Sequence, residues 1–252
     1  MCISRLELCG YNWYYEHVSN DVIKSKEVNP HKNKYMTQEG RGAAQNTTPI
    51  MNILGSDGTL RLTVDAGTEG AKFREYETSD GKKGSKWELI FKSLSGKITN
   101  LQIFDGDYGK NLLVTLTYNG GEDTISFNTA TPFGEDFMKK LPNFNLDEYV
   151  TITPYSFIDD NGKTRKGITV TQGDVKLQNY FYDAEKKKNL HKYPTPEGDT
   201  DKFDKDDWKI YFTHCRKFLV KNTEDVFLPA FAHLKQVVAV DYPTEEAKAD
   251  QF

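Results

Sequence analysis

Apolar and polar positions alternate with a period of two through most of the chain between residues 59 and 182, and that period predicts strands. Thr59–Val64 reads Thr-Leu-Arg-Leu-Thr-Val, a half-buried strand, and residues 72–78 could return as its hairpin partner. Residues 79–84, Ser-Asp-Gly-Lys-Lys-Gly, make a turn by composition. Trp87, Leu89 and Phe91 then share one face, Ser95-Gly96 interrupts, and residues 97–104 resume with Ile98, Leu101 and Ile103. That is one long strand bent at a glycine, or two short ones. After a turn from Asp105 to Gly109, Leu112, Val114, Leu116 and Tyr118 alternate. Asn119-Gly120-Gly121 signals a hairpin to residues 124–128, because those residues accept the positive φ of a tight turn.

The period then changes. Thr131-Pro132 reads as an N-cap followed by a first-turn proline, and Phe133, Phe137, Met138 and Leu141 fall at helical spacing until Pro142-Asn143. Tyr149–Ile158 and Thr164–Gln172 are strands about an Asp-Asp-Asn-Gly turn, and residues 176–182 end the β region. A second helix carries Trp208, Tyr211, Phe212, Cys215, Phe218 and Leu219, and Asn222 ends it or caps another. The expected organisation has five parts. Residues 1–50 are an irregular segment with an aromatic cluster at Tyr11, Trp13, Tyr14 and Tyr15. Residues 51–184 are a β domain, 185–203 a Lys- and Pro-containing linker, 204–240 a helical segment, and 241–252 an acidic tail. The helical segment packs on the β domain or mediates self-association.

A bent strand, two more, a short helix and two further strands follow the OB-fold order. The expected fold is mainly β: an OB-fold-like five-stranded barrel with one inserted short helix, an N-terminal β extension and C-terminal helices. Other small barrels, or a β-sandwich with a helical insertion, stay open.

Composition adds limits. The 252 residues are 37% hydrophobic and 28% charged, enough for a sizeable core in a polar chain. No apolar stretch has bilayer length, and Arg5 and Glu7 break up the first residues, so neither secretion nor membrane insertion is expected. Cys2, Cys9 and Cys215 then read as reduced thiols in a cytoplasmic setting, the host cytoplasm if the protein is viral. The net charge of −4 lies entirely in residues 222–252, which hold two lysines against six acids. Residues 161–192 carry eight basic against three acidic groups, and Lys82, Lys83, Lys86, Lys92, Lys97 and Lys110 make a second basic cluster.

Catalytic motifs are missing. No phosphate-cradling G-x-x-x-x-G-K-[ST] and no G-x-S-x-G nucleophile elbow occur, and the five histidines lack metal spacing. Asp105 and Asp107, with Glu122 and Asp123, could hold a divalent cation in a nuclease, although turns select Asp for backbone reasons. No catalytic residue, cofactor or metal site is assigned.

Lys97-Ile98-Thr99-Asn100-Leu101, residues 110–118, Leu141-Pro142-Asn143 and the strand pair around Asp159-Asp160-Asn161-Gly162 resemble bacteriophage single-stranded DNA-binding proteins with an OB core. The ending Glu245-Glu246 and Asp250-Gln251-Phe252 is similar to the acidic, aromatic-terminated tails of that class, although it is less acidic, with Lys248 among four acids after Val240. The resemblance covers about residues 85–182 and the last dozen, and it is one of architecture and tail character. It implies a non-enzymatic protein that coats single-stranded DNA in phage-type replication or recombination. Its tail, Glu245, Glu246, Asp250 and Phe252, would recruit a polymerase or a helicase-primase.

Binding without sequence preference requires cations along the phosphates and aromatic faces for the bases. The expected DNA contacts are Lys97, Tyr108, Lys110, Tyr118, Tyr155, Lys163, Arg165, Lys166 and Lys176. Tyr108 and Tyr155 are preferred for stacking because each lies beside turn residues, whereas most strand aromatics face a core. Two alternatives remain: a β-rich virion component that never meets nucleic acid, and the metal-dependent nuclease.

Overall fold

The computed structural model describes residues 5–8, 11–14, 49–78, 81–106, 109–119 and 121–232, with side chains described from residue 49 onward. Two strands, β1 (Arg5–Leu8) and β2 (Tyr11–Tyr14), pair with each other in an antiparallel hairpin.

From residue 49 the protein is built on one mixed sheet with two α-helices. In chain order its elements are β3 (Ile50–Leu54), β4 (Thr59–Val64), β5 (Lys72–Glu77), β6 (Lys83–Phe91), β7 (Leu94–Gly106), β8 (Gly109–Tyr118) and β9 (Gly121–Asn128). Helix α1 (Pro132–Lys140) follows, then β10 (Tyr149–Ile158), β11 (Thr164–Gln172), β12 (Val175–Lys176), β13 (Tyr182–Asp183), β14 (Lys188–Asn189) and α2 (Lys205–Asn222). Ten strands hydrogen-bond in the order β12-β11-β10-β7-β8-β9-β3-β4-β6-β5, and β13 pairs only with β14. Within the ten, β3 runs parallel to β9 and every other neighbour is antiparallel.

The strand periodicity sorts side chains as expected. Leu112, Val114, Leu116, Ile125, Phe127, Val150, Ile152, Ile168 and Val170 are buried on one face, joined by Met51, Leu60 and Leu62 from the N-terminal strands. Helix α1 covers this core: Thr131 caps it by accepting from the Gly134 amide at 3.3 Å, and Phe137 stacks on Phe127 with ring centroids 4.4 Å apart. Helix α2 begins with an Asp204/Asp207 capping box and continues through a π turn at Thr223–Phe227 rather than ending at Asn222. Its Phe218 meets Phe181 and Tyr193 edge-on, both at 5.6 Å, so Tyr193, expected only as part of a linker, packs against α2.

Two expectations are corrected. Residues 72–77 do not return onto β4; β5 pairs with β6, and β4 lies between β3 and β6. The sheet also does not close into a barrel. Closure needs a free edge on β9 and another on β11, and both are taken. β9 is paired by β3, with Thr124 N donating to the Pro49 carbonyl at 3.0 Å. On β11, Ile168 N donates to Asp136 of α1 at 2.8 Å, and the Ile168 carbonyl accepts from Lys140 Nζ. Further along, β12 and the Leu177 amide take the rest of that edge. The sheet nonetheless curls. β6 and β7 are separated only by Lys92 and Ser93, yet the ladder from one to the other runs through β4, β3, β9 and β8.

The curl brings the β3–β4 turn onto β10. Gly58 has φ +68°, and a Cβ there would lie 2.5 Å from the Tyr155 carbonyl carbon. Backbone conformation and space both demand glycine. Gly58→Ala is expected to lose about 2 kcal/mol in urea unfolding; an unchanged midpoint would mean that the turn does not bear on β10.

Candidate functional site

Cross-strand partners share a face of a sheet, so the registers trace one continuous outer surface. It runs from Phe157/Arg165 and Tyr155/Gly167 through Tyr149/Lys97 to Lys97/Thr117 and Thr115/Thr124. A bulge at Thr99 shifts the register, and Asn100 pairs with Thr115 on the same face as Lys97. The surface then continues through Ile50 and Asn52 to Arg61, Glu88, Arg74/Lys86 and Tyr76/Gly84. Threonines line its middle. Thr115 bonds Thr124 and Thr99 bonds Thr117, each at 2.9 Å, and a shallow depression of about 410 Å³ opens among Ile50, Leu113, Asn100, the acid Glu122 and three of these threonines, Thr99, Thr115 and Thr124.

At one end the β10–β11 hairpin rises out of the sheet. Its core-facing residues stop at Pro154, and beyond it Phe157 is 54% and Ile158 72% exposed. Phe157 faces Arg165 across the pair, and its ring lies 5.8 Å from that of Tyr155. Tyr155 reaches over Gly167, where a Cβ would lie 2.5 Å from the phenol oxygen. Burial, with Asp136 nearby, pushes its hydroxyl up and keeps it protonated. Asp159 closes the turn by accepting from the Lys163 amide at 2.8 Å, the Asn161 amide at 3.1 Å and Arg165 Nε at 2.7 Å. The Lys163 amide and the Arg165 guanidinium hold the Asp159 carboxyl below the usual carboxylate range.

The sequence-derived DNA contacts divide. Lys97, Tyr155, Arg165 and Lys176 share the outer face, with Lys176 opposite Thr171 on β12. Lys163 sits in the hairpin turn, and Lys166 lies on the hairpin's other face, 3.8 Å from the position of a Cβ on Gly55. Lys110 and Tyr118 have the parity of Leu112 and Leu116 and belong to the core side of β8. Lys110 Nζ bonds Glu224 beyond α2, and this bond raises the lysine above its ordinary value. Tyr118 donates to the buried Asp123 at 2.6 Å. The structure therefore does not group these two with the outer-face residues. Tyr108 and Asp107 lie outside the described residues, as do Glu245, Glu246, Asp250 and Phe252 of the tail.

Phe157 was missed in the sequence, although it lies two residues beyond Tyr155 and so on the same face, past the last core position. Also missed was Glu88, which is fully buried on the outer side of β6. It accepts from Arg74 at 2.7 and 3.0 Å and from Arg61 at 3.3 Å, and Lys86 Nζ lies 2.8 Å away. These cations, Arg74 first, hold its carboxyl at about 2.

Among the described residues, no group of three or more His, Cys, Asp or Glu is placed to hold a metal ion, and no helix is long and apolar enough to cross a membrane. Comparison of the chain with protein-family models, with curated proteins and with solved structures gives no match.

Proposed function

We propose that the protein binds single-stranded DNA without catalysing a reaction on it, coating the strand in phage-type replication or recombination. In this proposal the unit from β7 to β11 with α1 acts as an open, OB-like platform, and the acidic tail recruits replication proteins. The observation that carries the proposal is the β10–β11 hairpin. An apolar strand end that presents an exposed Phe157 beside Tyr155, with Arg165 opposite and Lys163 in the adjoining turn, has no use in a core and suits base stacking between phosphates.

A labelled oligo-dT titration at about 50 and about 200 mM salt tests this, because phosphate contacts make affinity fall steeply with salt. Phe157→Ala should weaken binding about tenfold. The double change Lys97→Gln, Lys163→Gln should lower the slope of log affinity against log salt by about 1.4, two phosphate contacts' worth on a single strand. Absence of binding at low salt overturns the proposal.

A further inference from the structure

The hairpin of β5 and β6, at the far end of the same outer face, carries a second set of the groups that the proposed function uses. Residues of β5 alternate, so Lys72, Arg74 and Tyr76 pair with Glu88, Lys86 and Gly84 on the outer side, whereas Glu75 and Glu77 fall on the opposite side. The strand thus puts its cations on one face and its acids on the other. Glu88, the only acid among these outer positions, is buried beneath the cations. Tyr76 is 39% exposed. A Cβ on Gly84 would lie 2.6 Å from its Cζ, so the ring lies across β6 in the space a side chain would fill. The Arg74 guanidinium and the Lys86 ammonium sit 5.5 and 5.7 Å from the ring centroid. Tyr155 lies over Gly167 in the same way at the other end of this surface.

We propose that the β5–β6 hairpin is a second single-strand contact, in which Tyr76 stacks on a base while Lys72, Arg74 and Lys86 face the phosphates on either side. This rests on the function proposed above and extends its path across the outer face, from Phe157 through the threonine-lined middle to Tyr76. Glu88 is a positioning residue here: its two bonds to Arg74 and its contact with Lys86 fix both cations beside the ring.

The test uses the full chain and an oligo-dT carrying 5-iodo-deoxyuridine, which crosslinks on irradiation to an aromatic ring stacked on it. Crosslinked peptides containing Tyr76 are expected alongside peptides containing Phe157. Tyr76→Leu should lower the affinity about tenfold, with Tyr76→Phe binding like the wild type and all three proteins melting together. If crosslinks fall on Phe157 but never on Tyr76, and Tyr76→Leu binds like the wild type while Phe157→Ala is weakened, the second contact is overturned and the function stands. Wild-type protein that binds no oligonucleotide overturns the function, and this contact with it.

Discussion

Glu88→Ala should lower the stability of the folded protein by about 3–5 kcal/mol, read as a fall in the urea midpoint at neutral pH. The carboxylate is fully buried, and Arg61, Arg74 and Lys86 converge on it from three different strands. Its removal leaves Arg74 and Lys86 without their counter-charge beside Arg61, which keeps Asp57 at 2.6 Å. The arginine and lysine side chains keep 12–31% of their surface exposed, so water relieves part of the repulsion and the lower end of the range is favoured. The same carboxyl makes a pH signature. Its folded value of about 2 lies below its ordinary 4.5, so the unfolded chain binds the proton more readily. The stabilisation is complete above about 4.5, falls as the pH drops toward about 2, and amounts to about 3 kcal/mol. Wild-type protein should lose stability through that window more steeply than Glu88→Ala. Parallel pH profiles would mean that the cluster does not hold the carboxylate ionised.

The second large effect is expected at Lys140. Its Nζ lies 2.7 Å from Asp136 Oδ2 and bonds the Ile168 carbonyl, with only 9% of the side chain exposed. Lys140→Met keeps the packing volume but leaves Asp136 without its cation and a β-strand carbonyl without its donor, a loss of about 3 kcal/mol. Adding Asp136→Asn should recover part of this, and the coupling in the double-mutant cycle should exceed about 1 kcal/mol. Hydrogen exchange gives a local readout, since the Ile168 amide donates to Asp136. That amide should exchange faster in Asp136→Ala than amides in the middle of β8. Independent, additive losses would mean that the two side chains do not act together on β11.

These two clusters also show where the sequence stops being legible. Alternation in β4 and β8, the Thr131 cap and the apolar spacing of α1 are local signals, and each predicts its element. The Asp136/Lys140 pair has the four-residue spacing of an ordinary solvent-facing helix pair, and nothing in its own segment reveals that it will cap the edge of β11. Glu88 occupies a polar position of an alternating strand, which reads as exposed; only the arrival of Arg61 and Arg74 from neighbouring strands buries it. The parallel pairing of β3 with β9 is likewise invisible to a search for hairpins. At the candidate site, Tyr155 and the basic residues around Gly162 were legible from their place beside a turn. Parity within β8 already separates Lys110 and Tyr118 from that group, because both alternate with the core residues Leu112 and Leu116. Their residue types suggested DNA contact, but their positions along the strand decide which way they point.

The junction at Lys92-Ser93 bears on how the molecule can be dissected. The strand before it belongs to the N-terminal half of the ladder and the strand after it to the C-terminal half, so a cut there would part the two halves along the β3–β9 pairing. A fragment starting at β7 would lose the core residues Met51, Leu60 and Leu62 and bare the side of β9 that β3 covers. An uncovered edge of that kind invites pairing with another copy and aggregation. The strands before the junction are therefore structural members of the sheet rather than a removable appendage. The smallest portion worth expressing alone begins before Ile50, well upstream of β7.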